Sequence, residues 1–166
     1  TMMIPITVRL IPSYNLCRNL NMLDTYMGMI LPQVAWSIPF GTFLMRQFYM
    51  GIPKQLDEAA KIDGANHFQI FWKILLPNTK SSMTTLGIYT FISAWNNLIW
   101  MLLSVRSEGK WTVTLGISSI CGASVIKQPT WNLIMGVIVI GMIPVLILFF
   151  ALQKYFMQSV AATGIK

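Results

Sequence analysis

The chain has 166 residues, of which 55% are apolar and only 10% are charged. Soluble domains carry about 25% charged residues, so this composition excludes an ordinary water-soluble surface and indicates a membrane protein. Twelve Lys and Arg against five Asp and Glu give a net charge of +7, but the basic residues stand singly between apolar blocks. That spacing argues against a nucleic-acid-binding patch and indicates anchors at the membrane flanks.

Runs without charge locate the predicted membrane spans. Residues 1–20 are an apolar segment that Arg9 interrupts, so we predict a partial span there. Three longer runs hold 21, 25 and 26 uncharged residues, and about 20 suffice for a helix to cross a bilayer. These runs are 25–45, 81–105 and 128–153. The shorter run 111–126 is rich in Gly and Ser and predicts an interfacial or re-entrant helix. The predicted fold class is therefore all-α, a polytopic transmembrane helical bundle forming a single domain.

The distribution of Lys and Arg predicts the orientation of the spans. Loop 46–80 and the tail after the last span share one side of the membrane, with seven basic residues against four on the other side. The seven are Arg46, Lys54, Lys61, Lys73, Lys80, Lys154 and Lys166, and the four are Arg18, Arg106, Lys110 and Lys127. Because cytoplasmic loops carry the excess of Lys and Arg, loop 46–80 and the C-terminus are predicted to be cytoplasmic. Aromatic belts then place Trp100, Trp111 and Trp131 near the outer interface.

The cytoplasmic loop has the pattern of two short helices joined at a sharp corner, here called the elbow (residues 53–77). Gly64 can adopt the left-handed conformation that ends a helix. Asn66 then fits an N-cap, with Gln69 three residues later to close a capping box. From the residues alone the elbow is either an interfacial helix pair or a surface that another protein approaches at Ala59 and Ala60.

The stretch "EAAKIDGANHFQIFWKILLP", residues 58–77, resembles the EAA motif of ABC importer permeases. In that motif Glu-Ala-Ala is followed after three residues by Gly and after nine more by Ile-x-Leu-Pro. The matching residues are Glu58, Ala59, Ala60, Gly64, Ile74, Leu76 and Pro77. Further segments, among them "SIPFGTFLMRQFY" and "KYFMQSVAATGIK", extend the resemblance over the whole chain. The chain is similar to the C-terminal part of a maltose-type, sugar-transporting permease with a MetI-like fold.

This resemblance implies a mechanism and a set of partners. The elbow would be the coupling helix that docks on a cytoplasmic ATP-binding subunit. Its coupling residues would be Glu58, Ala59, Ala60, Asp63, Gly64, Ile74, Leu76 and Pro77. A second permease subunit and an extracytoplasmic solute-binding protein would complete a carbohydrate importer in the lipid of the cell inner membrane. The segment "AWNNLIW" departs from the family pattern, which has Asp where Asn97 stands, so a role that needs charge there is in doubt.

Four residues are candidates for the substrate path. Asn96 and Asn97 are polar within a predicted span, and they either form an interhelical hydrogen bond, worth about 0.6 kcal/mol, or line the path. Trp95 beside them either packs in the bundle or stacks on a sugar ring. Arg9 would cost at least about 2.5 kcal/mol at the membrane centre. It therefore either lines a polar cavity or belongs to a segment that does not span.

Motifs for enzymatic chemistry are absent from the sequence. It contains no GxxxxGK[ST], HExxH or nucleophile elbow, and its lone histidine, His67, stands at a predicted helix start. No metal site or cofactor is expected, and ATP hydrolysis would belong to a partner subunit. Two alternatives to the importer remain. One is an ion-gradient secondary transporter, which would need intramembrane carboxylates or broken half-helices in a repeat. The other is a passive membrane scaffold.

Overall fold

The computed structural model describes residues 2–127 and 131–163, with side chains over 2–122 and 131–153. Within those ranges the chain forms helices and no strand, which confirms the predicted all-α class. The α-helices are α1 Ile6–Asn19, α2 Tyr26–Met50, α3 Lys54–Ile62, α4 His67–Ile70, α5 Leu76–Asn78, α6 Lys80–Trp95, α7 Leu98–Ser104, α8 Val113–Lys127 and α9 Trp131–Thr163. A π-helical turn, Phe71–Leu75, joins α4 to α5, and a 3₁₀ turn, Glu108–Lys110, follows α7. The first three residues of the predicted span 128–153 and the end of the tail, 164–166, lie outside the described residues.

In the described part of the chain, two helices are long and apolar enough to cross a membrane. They are α2 and the Trp131–Gln153 portion of α9. A third crossing is formed if α6 and α7 act as one span, although they meet at a bend of 51°. α1 has 14 residues, about 21 Å of helix, and is shorter than the ~30 Å hydrocarbon core. α8 is similarly short for a span, with 15 residues.

The break between α6 and α7 divides the predicted span 81–105. Asn97 is the N-cap of α7, and its side-chain Oδ1 accepts a hydrogen bond from the Trp100 backbone N–H at 3.4 Å. Asparagine side chains compete with the helical ladder for backbone groups in this way, which is why Asn favours helix starts over helix interiors. The pair Asn96–Asn97 therefore marks a helix boundary within an otherwise apolar run.

Trp100 is the centre of the hydrophobic core. Its side chain is 0% exposed, and its ring packs edge-on against Trp36 with 5.1 Å between centroids. Other buried members of the core are Cys17, Met29, Met101, Val105 and Leu115. The prediction that Trp100 belongs to an outer aromatic belt is wrong, because the bend after Asn97 turns its indole into the space between α1, α2 and α8.

Trp100 also satisfies a carbonyl that a proline leaves free. Pro32 lies inside α2 and has no N–H to donate to the carbonyl of Gly28 four residues earlier. The Trp100 Nε1–H donates to that carbonyl at 3.1 Å in a buried position. Helix-interior prolines are tolerated in membranes when a neighbour supplies the missing donor, and here α7 supplies it to α2.

The α9 helix packs against both α6 and α8. The Trp95 Nε1–H donates to the carbonyl of Gly141 on α9 at 3.3 Å, and the Thr114 hydroxyl donates to the Trp95 carbonyl. Gly141 is buried, and a Cβ there would lie 2.4 Å from Cδ1 of Ile117. Small residues at such contacts let membrane helices approach closely. Trp95 therefore holds the end of α6 against α8 and α9.

Asp24 connects the α1–α2 turn to the segment that follows α7. Its backbone N–H donates to the Ser104 carbonyl at 2.7 Å. Its carboxylate accepts the Ser107 hydroxyl and the backbone N–H groups of Ser107 and Arg106, both at 3.0 Å, with the Lys110 Nζ 3.7 Å away. The Ser107 hydroxyl first, then these N–H groups and Lys110, hold the pKa of Asp24 well below its ordinary value. We call this set of contacts the Asp24 clasp.

The clasp predicts an acid-dependent loss of stability. A carboxyl group whose pKa is lowered by folding stabilises the protein at pH values above its unfolded pKa, about 3.9 for Asp. That stability is lost as the pH falls below this value towards the folded pKa. Asp24 has a φ of +57°, a conformation that asparagine also tolerates. We therefore expect Asp24→Asn to lower the melting temperature at neutral pH through loss of the carboxylate alone. The difference from wild type should shrink below about pH 4.

Thermal melting of detergent-solubilised protein across that pH range measures this difference. Asp63→Asn is the matched control, because Asp63 is exposed at the elbow and makes no contact with the clasp. A wild-type advantage over Asp24→Asn that stays constant from neutral pH to below about pH 4 would contradict the role given to the carboxylate.

Candidate functional site

The elbow has the two-helix form that its sequence predicts. α3 ends at Asp63, and Gly64 adopts a φ of +79°, where a Cβ would meet no atom within 4 Å. Asn66 caps α4 through a complete capping box with Gln69, both hydrogen bonds measuring 2.9 Å. The corner is therefore set by a left-handed residue followed at once by a capped helix start.

One face of α3 is exposed and the other is buried. Glu58 and Ala59 are exposed, and Ile62, next to them on the helix surface, is 86% exposed. Ala60 is 6% exposed and faces the rest of the chain. Of the two predicted close-approach residues, only Ala59 therefore presents its methyl group outward. We call Glu58, Ala59 and Ile62 the outer face of α3.

The second arm of the elbow is anchored to the bundle. Ile70 is 3% exposed, and the Phe71 ring lies 6.3 Å from that of Tyr49 near the end of α2. Ile74 and Leu76 are half-buried, so these two motif residues contribute to holding the arm in place. Two further predicted coupling residues, Asp63 and Pro77, are exposed.

Pro77 explains the π-helical turn that precedes it. It has no N–H to donate, and its ring would clash with the carbonyl four residues earlier in a regular α-helix. The wider π turn relieves that clash, and the Leu76 backbone N–H donates to the carbonyl of Phe71, five residues earlier. The Asn78 amide donates to the Ile74 carbonyl at 2.8 Å, and the buried Thr79 hydroxyl donates to the Leu75 carbonyl at 3.0 Å.

A cavity of about 1190 Å³ opens between α1, α2, α6, α7 and the start of α8. All four predicted substrate-path residues line it: Arg9, Trp95, Asn96 and Asn97. Aromatic rings form much of the remaining wall, from Trp36, Phe40, Tyr89, Phe91 and Trp111. No carboxylate is found among the described residues of this wall. The tertiary structure thus brings together residues that are up to 88 positions apart in the chain (97 − 9 = 88).

The polar side chains of the cavity differ in the contacts that they make. The Asn97 amide donates to Oε1 of Gln33 at 3.2 Å, so it forms the interhelical hydrogen bond that was one of its two predicted roles, and it also lines the cavity. Trp95 is half-buried and bonded to Gly141. Arg9 lies with its guanidinium carbon 5.5 Å from the centre of the Trp36 ring.

Three residues of these sites were not anticipated from the sequence. Gln33 and Trp36 lie on one face of α2 and line the cavity. They were missed because a span with few charges shows no difference in polarity between its lipid-facing and cavity-facing sides. A polar Gln inside a charge-free run was the available signal for the first. For Ile62, the signal was an apolar residue between the charged Lys61 and Asp63.

Comparisons with known proteins agree across nearly the whole chain. A family model described as "Binding-protein-dependent transport system inner membrane component" matches residues 1–162. The sn-glycerol-3-phosphate transport system permease protein UgpE of Yersinia enterocolitica is 38% identical over 160 residues, 96% of this chain and 56% of that protein. UgpE of Pectobacterium atrosepticum is 36% identical over 159 residues, with the same coverage. The chain therefore spans about half the length of the curated relatives it matches.

A solved structure shares the fold. It is described as a bacterial ABC transporter involved in the import of the acidic polysaccharide alginate. The match has a TM-score of 0.71 and 29% sequence identity, and covers 88% of this chain and 55% of that one. The polytopic helical architecture is thus found in an experimental structure of similar sequence.

Proposed function

Since the chain belongs to the family of binding-protein-dependent transport system inner membrane components, we propose that it is a permease subunit of an ATP-driven importer. Its substrate would be a carbohydrate or a related polyol. Its relatives support this, since one is a permease for sn-glycerol 3-phosphate and another belongs to a transporter involved in the import of the polysaccharide alginate. ATP-binding subunits, a second permease and an extracytoplasmic solute-binding protein would be its partners.

The outer face of α3 is the observation that carries the coupling role. Ile62, which is 86% exposed beside a small residue and an acid, gives this face an apolar contact that a partner would cover. α3 projects from the bundle on an elbow whose second arm is anchored through Ile70 and Phe71. A partner that pushes on the outer face would therefore move the anchored arm and the ends of α2 and α6. The excess of Lys and Arg supports a cytoplasmic location for this loop.

The gradient-driven carrier has one feature in its favour. The broken pair α6–α7 is the kind of discontinuous helix that such carriers use, although the sequence shows no internal repeat to accompany it. The cavity wall holds no carboxylate among its described residues, whereas proton- and sodium-driven carriers commonly use one in the membrane. The family match favours the ATP-driven importer over this carrier.

Charge reversal on the outer face tests the proposal. We expect Glu58→Lys to weaken co-purification of the ATP-binding subunits and to reduce ATP-dependent uptake by roughly tenfold, as loss of a charge-assisted contact of about 1.4 kcal/mol would. The assay uses the assembled transporter in membranes, with solute uptake and ATP hydrolysis measured on the same preparation.

Glu108→Lys is the matched control, since it makes the same substitution at an exposed site on the opposite predicted side of the membrane. It should leave co-purification unchanged. Uptake that continues without the ATP-binding subunits would identify a gradient-driven carrier. A chain that supports no uptake under any condition would identify a scaffold.

A further inference from the structure

We propose that Arg9 makes the cavity a recognition site for an anionic group, a carboxylate or phosphate carried on a carbohydrate or polyol. This inference rests on the proposed function, because it names the chemical class of the substrate that the cavity accepts. It assigns to Arg9 a contact with the substrate itself.

Arg9 has a charge without a partner. Its Nε is buried and has no hydrogen-bond partner, and its guanidinium forms no ion pair or hydrogen bond with the described residues. The contact with Trp36 attracts the cation but offers no lone pair to its N–H groups. Arginine stays protonated in proteins, so this charge cannot be removed by deprotonation. A permanently charged group whose Nε is buried without an acceptor is the arrangement that a bound anion would complete.

The guanidinium suits one class of anion in particular. Its planar fork of donors matches the two oxygens of a carboxylate or phosphate, which it can bind through two parallel hydrogen bonds. No carboxylate of the described cavity wall competes for these donors. Among the described residues of the wall, Arg9 is the one charged side chain.

The remainder of the wall suits a sugar or polyol. Trp36, Phe40 and Tyr89 supply aromatic surface for the C–H groups of a pyranose, while the Gln33 and Asn97 amides can donate to hydroxyl groups. A volume of about 1190 Å³ leaves room for such a ligand together with water. The juxtaposition of one unpaired cation with neutral amides and aromatic rings is what distinguishes this cavity from one that accepts only neutral sugars.

Matched sugars test the inference. The assembled transporter, in lipid nanodiscs and without nucleotide, is titrated with radiolabelled glucose, glucuronate and glucose 6-phosphate. These share a ring and differ in the charged group, so the two anionic probes also separate a carboxylate site from a phosphate site. We expect wild type to bind at least one anionic sugar about tenfold or more tightly than glucose.

Two variants at Arg9 and one control follow. Arg9→Gln should lose the preference and bind the three sugars with similar affinity, and Arg9→Lys should keep part of the preference because it keeps the charge without the fork. Arg18→Gln, an exposed arginine in the last turn of the same helix, should behave as wild type.

Three results would overturn the inference: equal affinity of wild type for all three sugars, no binding of either anionic sugar, or a preference that survives in Arg9→Gln. The last would mean that groups other than Arg9 recognise the anion, whereas equal affinity for all three sugars is expected if Arg9 pairs with an acid of another segment or subunit. The proposed function is judged separately, by whether Glu58→Lys releases the ATP-binding subunits. If it does while no anion preference is seen, only the role of Arg9 fails.

Discussion

Replacing Gly64 with Val is expected to abolish most ATP-dependent uptake while leaving the bundle folded. Gly64 has a φ of +79°, and nothing lies within 4 Å of its missing Cβ, so the penalty comes from the backbone alone. The left-handed conformation costs an ordinary L-residue about 1–2 kcal/mol, and a β-branched residue more. The corner would then open, and the outer face of α3 would no longer be held at its angle to the anchored arm. We expect uptake to fall by about tenfold or more, since 1.4 kcal/mol is a factor of ten.

Asparagine separates conformation from size at this position. It tolerates the left-handed region better than other non-glycine residues, so Gly64→Asn should retain most uptake although it adds a side chain. Gly87→Val is a second control, because Gly87 lies in α6 with open space around it and an ordinary φ. Equal loss of uptake in Gly64→Asn and Gly64→Val would show that the corner needs the absence of a side chain rather than a positive φ.

Truncation of Trp100 is expected to have the largest effect on stability. Trp100→Ala should lower the free energy of unfolding by about 3–5 kcal/mol, because it empties the centre of the core. Trp100→Phe should cost about 1–3 kcal/mol, since it keeps an aromatic ring but leaves the Gly28 carbonyl without a donor. Denaturant or thermal unfolding of the detergent-solubilised protein measures both.

A double-mutant cycle tests the link with Pro32. Pro32→Ala would restore a backbone N–H four residues after Gly28, so the cost of Trp100→Phe should be smaller in that background than in wild type. Trp131→Ala is the control for loss of a large aromatic ring, because Trp131 is 62% exposed. Identical costs of Trp100→Phe in both backgrounds would show that the indole N–H does not replace the proline's missing donor.

The parts of the elbow that were predicted from the sequence depend on residues close together in the chain. The capping box joins residues three apart, and the Asp57–Lys61 ion pair, at 2.6 Å, joins residues four apart. Such contacts are encoded by local spacing, which is why Gly64 and Asn66 could be placed at the corner before any fold was known. Burial of Ala60 and exposure of Ile62 were not predictable in the same way, because the side of α3 that faces the bundle depends on the corner angle.

Within the spans, sequence alone could not distinguish core from lipid. Trp100 and Trp131 look alike in an apolar run, yet the first is fully buried and the second exposed. Lipid tails are as apolar as a protein core, so composition carries little information on which face of a helix meets other helices. The sequence did not predict the bend at Asn97. This bend turns Trp100 inward and gives Asn97 a hydrogen-bond partner 64 residues away.

The sequence by itself determined the membrane class, the positions of the apolar runs, the form of the elbow and a family resemblance that the comparisons confirm. Charge content, run length and close spacing express these directly, because each depends on composition or on contacts within a few residues. Only the tertiary structure decided that Arg9, Gln33 and Asn97 share one cavity and that Asp24 holds the segment after α7. Those groups come together because helices from distant segments pack against each other. The geometry of such contacts cannot be predicted from the spacing of residues within one segment.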